Sequence, residues 1–349
     1  MQTMDAIIKP AAGPGLELRR VSVPVPGPGE VLIKVHKTAI CGTDVHIYDW
    51  NEWSAQHVKP PMIIGHEYVG EIAELGAGVT GLSVGQRVSG EGHITCGHCR
   101  NCHTGNIQWC RNTSGVGVDR DGAFAEYVCI PASNVILIDP SLDEDIVAMF
   151  DAVGNATHTA LMFNLVGEDV LITGAGPVGI LAAAIAKYAG ARRVVVTDLN
   201  DYRLGLARRM GADAAVNTGR EDLTATMKEQ GLTEGFDVGF EMSGSGAALN
   251  QMIGVMRNGG KISLLGLGSG SISLNMNDVI GKGLTLQGIY GRKMDNWHQM
   301  NYMVQGGLNL SPAITHRFHY TEFEKGFAAM HSGRSGKVIL DWTRKEDRP

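Results

Sequence analysis

The run DVLITGAGPVGILAAAIAKYAGA, residues 169–191, leaves this chain few folds to choose from. A short apolar strand stops at Gly174, and Gly176 and Gly179 follow before an alanine-rich helical stretch begins. The first glycine permits a tight turn, the second lets backbone approach a pyrophosphate, and the third lets the helix pack on its strand. The helix start then offers free N–H groups and a positive dipole end to phosphate oxygens. RRVVVTD supplies the next strand and ends on Asp198, 19 residues beyond Gly179. A carboxylate there accepts from a ribose 2′-OH and repels a 2′-phosphate, which favours NAD over NADP. Leu199 follows where a cation would suit NADP, and Arg203 is the nearby positive charge, placed to pack on an adenine.

The texture of the chain changes near residue 150. Before it, short runs such as EVLIKVHKTAI, EYVGEIAEL, GQRVSG and FAEYVCI are separated by Gly and Pro clusters, the pattern of a β-rich, loop-rich domain. After it, strands and helices alternate through YRLGLARRMGA, FDVGFEMSG, GKISLLGLG and LTLQGIYG, which predicts a parallel sheet covered on both faces. From about residue 296 one helical stretch, DNWHQMNYMVQGG, and a final strand, KVILDW, are expected. The fold class is therefore α/β, with a first domain over 1–150, a dinucleotide-binding domain over 151–295 and a closing segment over 296–349. A chain of 349 residues is long enough for two such cores.

Two metal-type sets of opposite character lie in the first domain. Cys96, Cys99, Cys102 and Cys110 follow the spacing C-x2-C-x2-C-x7-C, which lets one lobe, about 92–112, wrap four thiolates around a tetrahedral Zn2+. Four sulfurs carry −4 against the +2 of zinc and leave no position for a substrate, so this ion is structural. Cys41, His66 and Glu67 form the other set. Two anionic ligands and a neutral imidazole leave zinc nearly uncharged and Lewis-acidic, with room for an alcohol oxygen. Asp151 joins it as a further ligand or as an outer base. Thr43 and His46 lie two and five residues after Cys41, and a hydroxyl–imidazole pair there can carry a proton to water. An N-capping hydroxyl and a surface imidazole are the plainer alternatives for those two. His93, just before the lobe, is a candidate for the substrate pocket or for a structural role.

On these residues the chain resembles the zinc-containing medium-chain alcohol dehydrogenases. The stretches KTAICGTDVHIYDWNEWS, GHEYVG, VSGEGHITCGHCRNC, RNTSGVGV, FDAVGNATHTAL, TEGFDVGFEMSG, GIYGR and SPAITHRF carry a closer likeness to the members that oxidise L-threonine. The likeness runs from about residue 5 to 342, and the tail TRKEDRP lies beyond it with no chemistry expected. It implies a GroES-like catalytic domain, a Rossmann domain and a C-terminal return to the catalytic domain. Cys41, His66 and Glu67 match the catalytic-zinc positions, the four clustered cysteines the structural zinc, Thr43 and His46 the relay, and Asp151 an acid serving relay or metal. Val178, in place of a related isoleucine, Asp198, Arg203, Leu265, Gly266, Leu267, Ile289 and Tyr290 match NAD contacts. The implied reaction is NAD-dependent oxidation of L-threonine by a homotetramer holding two zinc ions per subunit. A polyol or 2,3-butanediol dehydrogenase of the same superfamily is the alternative.

Charge and leader sequence bound the rest. A net charge of −6 and the absence of a Lys/Arg stripe argue against nucleic acid, and hence against a zinc-ribbon DNA-binding module. The start MQTMDAIIKP has no apolar signal region and no run of about 20 apolar residues spans a bilayer, so no membrane partner is expected. Cysteines grouped for metal rather than for disulfides point to the cytoplasm; only Cys129, in EYVCIPA, stands outside the two sets.

Overall fold

A computed structural model describes residues 2–268 and 270–343; of the tail TRKEDRP, all but Thr343 lies outside them. The chain divides into two compact units, the first running to Asp151 and taking in Lys293–Asn301 and the chain from Ile314 onward, the second holding Ala152–Arg292 and Tyr302–Ala313.

The first unit opens with β1 (Thr3–Lys9), β2 (Glu17–Ser22) and β3 (Glu30–Ala39), then α1 (Gly42–Asp49) and α2 (Glu52–His57). There follow β4 (Met62–Ile63), β5 (Tyr68–Leu75), β6 (Arg87–Gly90), β7 (His93–Ile94), α3 (Arg100–His103), β8 (Ser114–Gly115), β9 (Tyr127–Pro131), β10 (Val135–Leu137), α4 (Glu144–Ala148) and the start of α5 (Phe150–Ala160), which from Ala152 belongs to the second unit. Strand β3 is the organiser, pairing antiparallel with β5 and with β9. Its alternate residues Val31, Ile33 and Val35 turn inward onto Ile72, Val88, Val128 and Ile130, the period-two burial of a sheet with one face on a core.

The second unit is a six-stranded sheet. Its strands are β11 (Asp169–Thr173), β12 (Arg193–Asp198), β13 (Ala214–Asn217), β14 (Phe236–Glu241), β15 (Met256–Leu264) and β16 (Thr285–Gly288). They are parallel, in the order β13-β12-β11-β14-β15-β16. Helices α6 (Pro177–Tyr188), α7 (Asp201–Arg209), α8 (Leu223–Glu229), α9 (Gly246–Val255) and α10 (Met276–Gly281) connect them. Every residue of β11 is buried, as an interior parallel strand requires. The chain steps outward from β11 to β12 and β13, then returns to the other side of β11 for β14, so the sheet reverses its order there.

The closing segment is richer than its sequence pattern suggested. After α11 (Met294–Gln305) come β17 (Ile314–His319), α12 (Phe323–His331) and β18 (Lys337–Asp341). Strand β18 joins β3 antiparallel and β17 parallel, completing the first unit's main sheet. Tyr302–Ala313, inside the stretch expected to return whole, belongs instead to the second unit. Both missed elements have weak local signals: ITHRFH buries little of its length, and FEKGFAAMH contains Gly326. A Cβ on Gly326 would lie 2.8 Å from Ile40 Cδ1, so close packing rather than helix propensity chose that residue. No helix among the described residues is long and apolar enough to cross a membrane.

Candidate zinc centres and dinucleotide site

Leaving β3, the chain turns at Ile40 and places Cys41 as the N-cap of α1. The Asp44 carboxylate accepts from the Cys41 N–H at 2.8 Å, which fixes the first turn. Gly65, with φ +89°, makes the bend before His66-Glu67; a Cβ there would lie 2.1 Å from Phe124 Cδ1. These two turns bring a sulfur of Cys41, a ring nitrogen of His66 and a carboxylate oxygen of Glu67 within 4.8 Å of one another. Asp44 Oδ1, His66 Nδ1 and Glu67 Oε1 are buried there without hydrogen-bond partners, a costly arrangement for protein alone. Burial works against charge on His66, but Asp44 and Cys41 outweigh it and hold its pKa well above the usual range. Negative charge has been gathered here around a space that calls for a cation, and this donor set suits Zn2+.

Asp151 stands apart from the three donors. It lies in the first turn of α5, is 8% exposed, and its carboxylate acts on His66, Glu67 and Lys337 through space. It is not among the atoms clustered within 4.8 Å. Thr43 Oγ1 lies 3.9 Å from Cys41 Sγ, and His46 sits further along α1 with an exposed side chain. Thr43 is not a cap, since Cys41 holds that position. His93 begins β7, with its Nδ1 3.1 Å from a Glu91 carboxylate oxygen.

The four clustered cysteines enclose a second space. Cys99 and Cys102 sulfurs are 3.5 Å apart, Cys99 and Cys110 4.0 Å, and Cys110 and Cys96 3.5 Å. Tetrahedral zinc with bonds of about 2.3 Å sets sulfurs about 3.8 Å apart, which these distances bracket. Backbone N–H groups of His98 and Cys99 are aimed at Cys96 and bring its thiol down to about 6. Those of Cys102 and Arg111 lower Cys99, whereas burial pushes Cys102 up to about 11. Donors pointed at sulfur stabilise thiolate, the metal-binding form. Cys129 belongs to neither set: its sulfur faces Glu30 at 3.5 Å, and burial followed by that charge pushes its thiol up to about 12.

In the second unit the dinucleotide candidates lie at or beyond the carboxyl ends of β11, β12, β15 and β16, three of them on the helices α6 and α7 that follow. Gly174 (φ +92°) leaves β11, and a Cβ on it would lie 2.9 Å from Ser243 N beyond β14. Gly179 has no room for a Cβ, which would lie 1.9 Å from Gly174 O, so helix and loop touch as the motif requires. Gly176 is different: a Cβ there would meet nothing within 4 Å. Packing does not explain that glycine, whose open side leaves room for a ligand against the loop. Val178 is half-buried in the first turn of α6, which carries Pro177 at its start.

Asp198 ends β12, and both of its oxygens already accept, from Ala175 N at 2.6 Å and from Asn200 N at 2.8 Å. The carboxylate thus braces the glycine loop from the end of β12. Arg203 Nε is buried without a partner. Leu265, Gly266 and Leu267 follow β15, and Ile289 and Tyr290 follow β16. Leu267 is 90% exposed, Tyr290 is half-exposed and Ile289 is buried. The loop after β15 lies against the one after β14, where a Cβ on Gly266 would lie 2.2 Å from Gly244 N, next to the point where the sheet reverses order and open α/β sheets take their ligands.

Several residues at these sites escaped sequence reasoning. Lys337, at the start of β18, is fully buried and donates to Glu67 and to the Ile40 carbonyl. Burial opposes its charge, but Glu67 and Cys41 prevail and keep it cationic. A lysine opening an apolar strand 270 residues from Glu67 gives no local hint of this. Glu91 is likewise buried, accepting from the Trp297 indole at 2.9 Å.

Two family descriptions match the chain: "Alcohol dehydrogenase GroES-like domain" over residues 27–140 and "Zinc-binding dehydrogenase" over 177–305. The chain belongs to the zinc-containing medium-chain alcohol dehydrogenases. Within them it is 60% identical to L-threonine 3-dehydrogenase of Burkholderia ambifaria, across 97% of this chain and 100% of that one. L-threonine 3-dehydrogenase of Chromobacterium violaceum is 58% identical over the same shares. Among solved structures, an alcohol dehydrogenase of Escherichia coli complexed with NADH superposes with a TM-score of 0.89 at 26% identity, covering 98% of this chain and 100% of that one.

Proposed function

We propose that the chain oxidises the β-hydroxyl of L-threonine with NAD+, giving L-2-amino-3-oxobutanoate, NADH and a proton. The observation that carries this is near-full-length identity of 60% to an L-threonine 3-dehydrogenase, which leaves no segment of either chain unmatched on a scale that would rebuild a pocket. Cys41, His66 and Glu67 would hold a catalytic zinc, which supplies Lewis acidity to the substrate hydroxyl. Cys96, Cys99, Cys102 and Cys110 would hold a structural one. NAD+ is the hydride acceptor, its pyrophosphate lying against Gly174, Gly176 and Gly179, with Val178, Arg203, Leu265, Gly266, Leu267, Ile289 and Tyr290 around the rest. Asp198 favours a free ribose 2′-OH.

Thr43 takes up the hydroxyl proton and His46, at the exposed side of α1, delivers it to water. Asp151 adds negative charge beside His66 and Glu67, which strengthens the hold of that site on a cation and so tunes the metal. The proposed assembly is a homotetramer and the proposed location the cytoplasm, where free thiols at all six cysteines persist.

Initial rates of NADH formation with L-threonine, sorbitol and 2,3-butanediol decide the substrate. L-threonine should give the highest kcat/KM, with NAD+ preferred over NADP+, and Asp198→Ala should narrow that preference. A polyol or diol turned over faster than L-threonine would overturn the reading.

A further inference from the structure

Parts of two stretches quoted above, FDAVGNATHTAL and GIYGR, meet in the second unit around a buried arginine. Arg292, which ends GIYGR, is 2% exposed, and its Nη1 donates to Asn155 Oδ1 of α5 at 3.3 Å. Gly154, one residue back on that helix, makes the room. A Cβ there would lie 2.4 Å from Arg292 Cδ and 3.5 Å from both Cγ and Nε. Glycine inside a helix is otherwise disfavoured, and Gly154 has no left-handed φ to account for it. The position is bare because the arginine stem lies across it. One turn further on, His158 is buried with its Nδ1 3.0 Å from the Gly291 carbonyl. Residues 154, 155 and 158 share a face of α5, so that one face takes both Gly291 and Arg292.

Ile289 and Tyr290 lie between β16 and this anchor. Ile289 N donates to Leu264 O, at the end of β15, at 2.8 Å, and Gly291 turns the chain at φ 55°. The dipeptide is thus held by β15 on one side and by α5 on the other. Its place in the sheet says which half of a dinucleotide it serves. Asp198 ends β12, on one side of β11, whereas β15 and β16 stand on the other side, past β14. A dinucleotide lying across the reversal, with its adenosine ribose at Asp198, carries its nicotinamide half toward β15 and β16.

We propose that Arg292 is a positioning residue for the nicotinamide half of NAD+, its stem seated on Gly154 and its head on Asn155, so that Ile289 and Tyr290 are in place before the cofactor arrives. This rests on the assignment of Ile289 and Tyr290 to NAD+ above. Loop residues ordered in advance cost less to bind than residues that the ligand itself must order. Buried as it is, Arg292 acts through the loop rather than on the cofactor. A methyl on Gly154 would displace the stem, and the arginine's burial leaves that stem no open space to retreat into.

ADP-ribose, which carries the adenosine half without nicotinamide, separates the two halves of the cofactor. The full-length, zinc-loaded wild type and its variants are titrated with NADH, followed by its fluorescence, and with ADP-ribose, followed by displacement of NADH. Gly154→Ala suits the helix yet places a methyl where the Arg292 stem runs, and Arg292→Met fills the place of the stem without the donor. Each should raise the Kd for NADH at least about threefold more than the Kd for ADP-ribose. Asn155→Ala, at a half-buried position where alanine favours the helix, should do the same and serves if those two do not fold. A smaller difference between the two ligands, as a merely structural role would give, would overturn the proposal. A wild type that binds no NADH would instead sink the cofactor assignment beneath it. A wild type that binds NADH but leaves L-threonine unoxidised would sink the substrate reading alone, and the two titrations would still decide the role of Arg292.

Discussion

Cys41 and Lys337 show how much a single side chain carries here. Cys41 is at once the N-cap of α1 and one of three donors converging on a buried space. Replacing its sulfur by a hydroxyl keeps the size and removes the thiolate. Cys41→Ser should therefore lower kcat by about 10³-fold or more, the loss of several kcal/mol of Lewis-acid assistance. NAD+ binding, read by fluorescence titration, should hardly change; unaltered turnover would remove Cys41 from the metal. Lys337 poses the opposite problem. Its ammonium is the counter-charge of a carboxylate that is as deeply buried as itself. Lys337→Met leaves Glu67 without a cation and should destabilise metal-free protein by about 3–5 kcal/mol. Equal melting temperatures for wild type and variant, both stripped of metal, would refute that account.

Elements, rather than residues, carry the bracing. The lobe between β7 and β8 is closed by a two-residue ladder, and the ion proposed at its four sulfurs would brace it. Cys102→Ser should release about one zinc equivalent per chain and lower the melting temperature, while an unchanged melting curve would count against a bracing role. Helix α4 is tied differently. Asp145 accepts from Lys37 of β3 at 2.6 Å and from Arg317 of β17. Burial works against its charge, but the two cations prevail and hold its carboxyl below the usual range. A carboxyl depressed in the folded state stabilises at neutral pH, and that contribution fades as pH falls through its folded-state value. Asp145→Asn should thus cost about 1–2 kcal/mol at pH 7 and less at pH 3, below the ordinary carboxylate value. Urea melts at the two pH values would tell, and a pH-independent difference would contradict the ion-pair account.

Over the whole molecule, two donor clusters of unlike charge should part company under chelation. Dipicolinate should first remove the ion at Cys41, His66 and Glu67, abolishing activity while the melting temperature holds. The second ion should leave only as the fold loosens, and parallel loss of both would undo the division of labour. What the sequence alone determined is whatever depends on short-range spacing. The four cysteines lie within fifteen residues and the glycine loop within six, so covalent geometry already commits them to one lobe and one turn. The period of the apolar pattern committed the two sheet types in the same way. What only the tertiary structure decided is everything assembled by contacts distant along the chain: Lys337 beneath Glu67, Trp297 on Glu91, and β18 completing the sheet around β3. Asp151 is a case of both, an acid visible in its motif whose standing outside the three-donor cluster depended on where α5 begins. Local bonds limit the conformations of neighbours, but a buried charge is stable only beside a partner that folding brings from elsewhere.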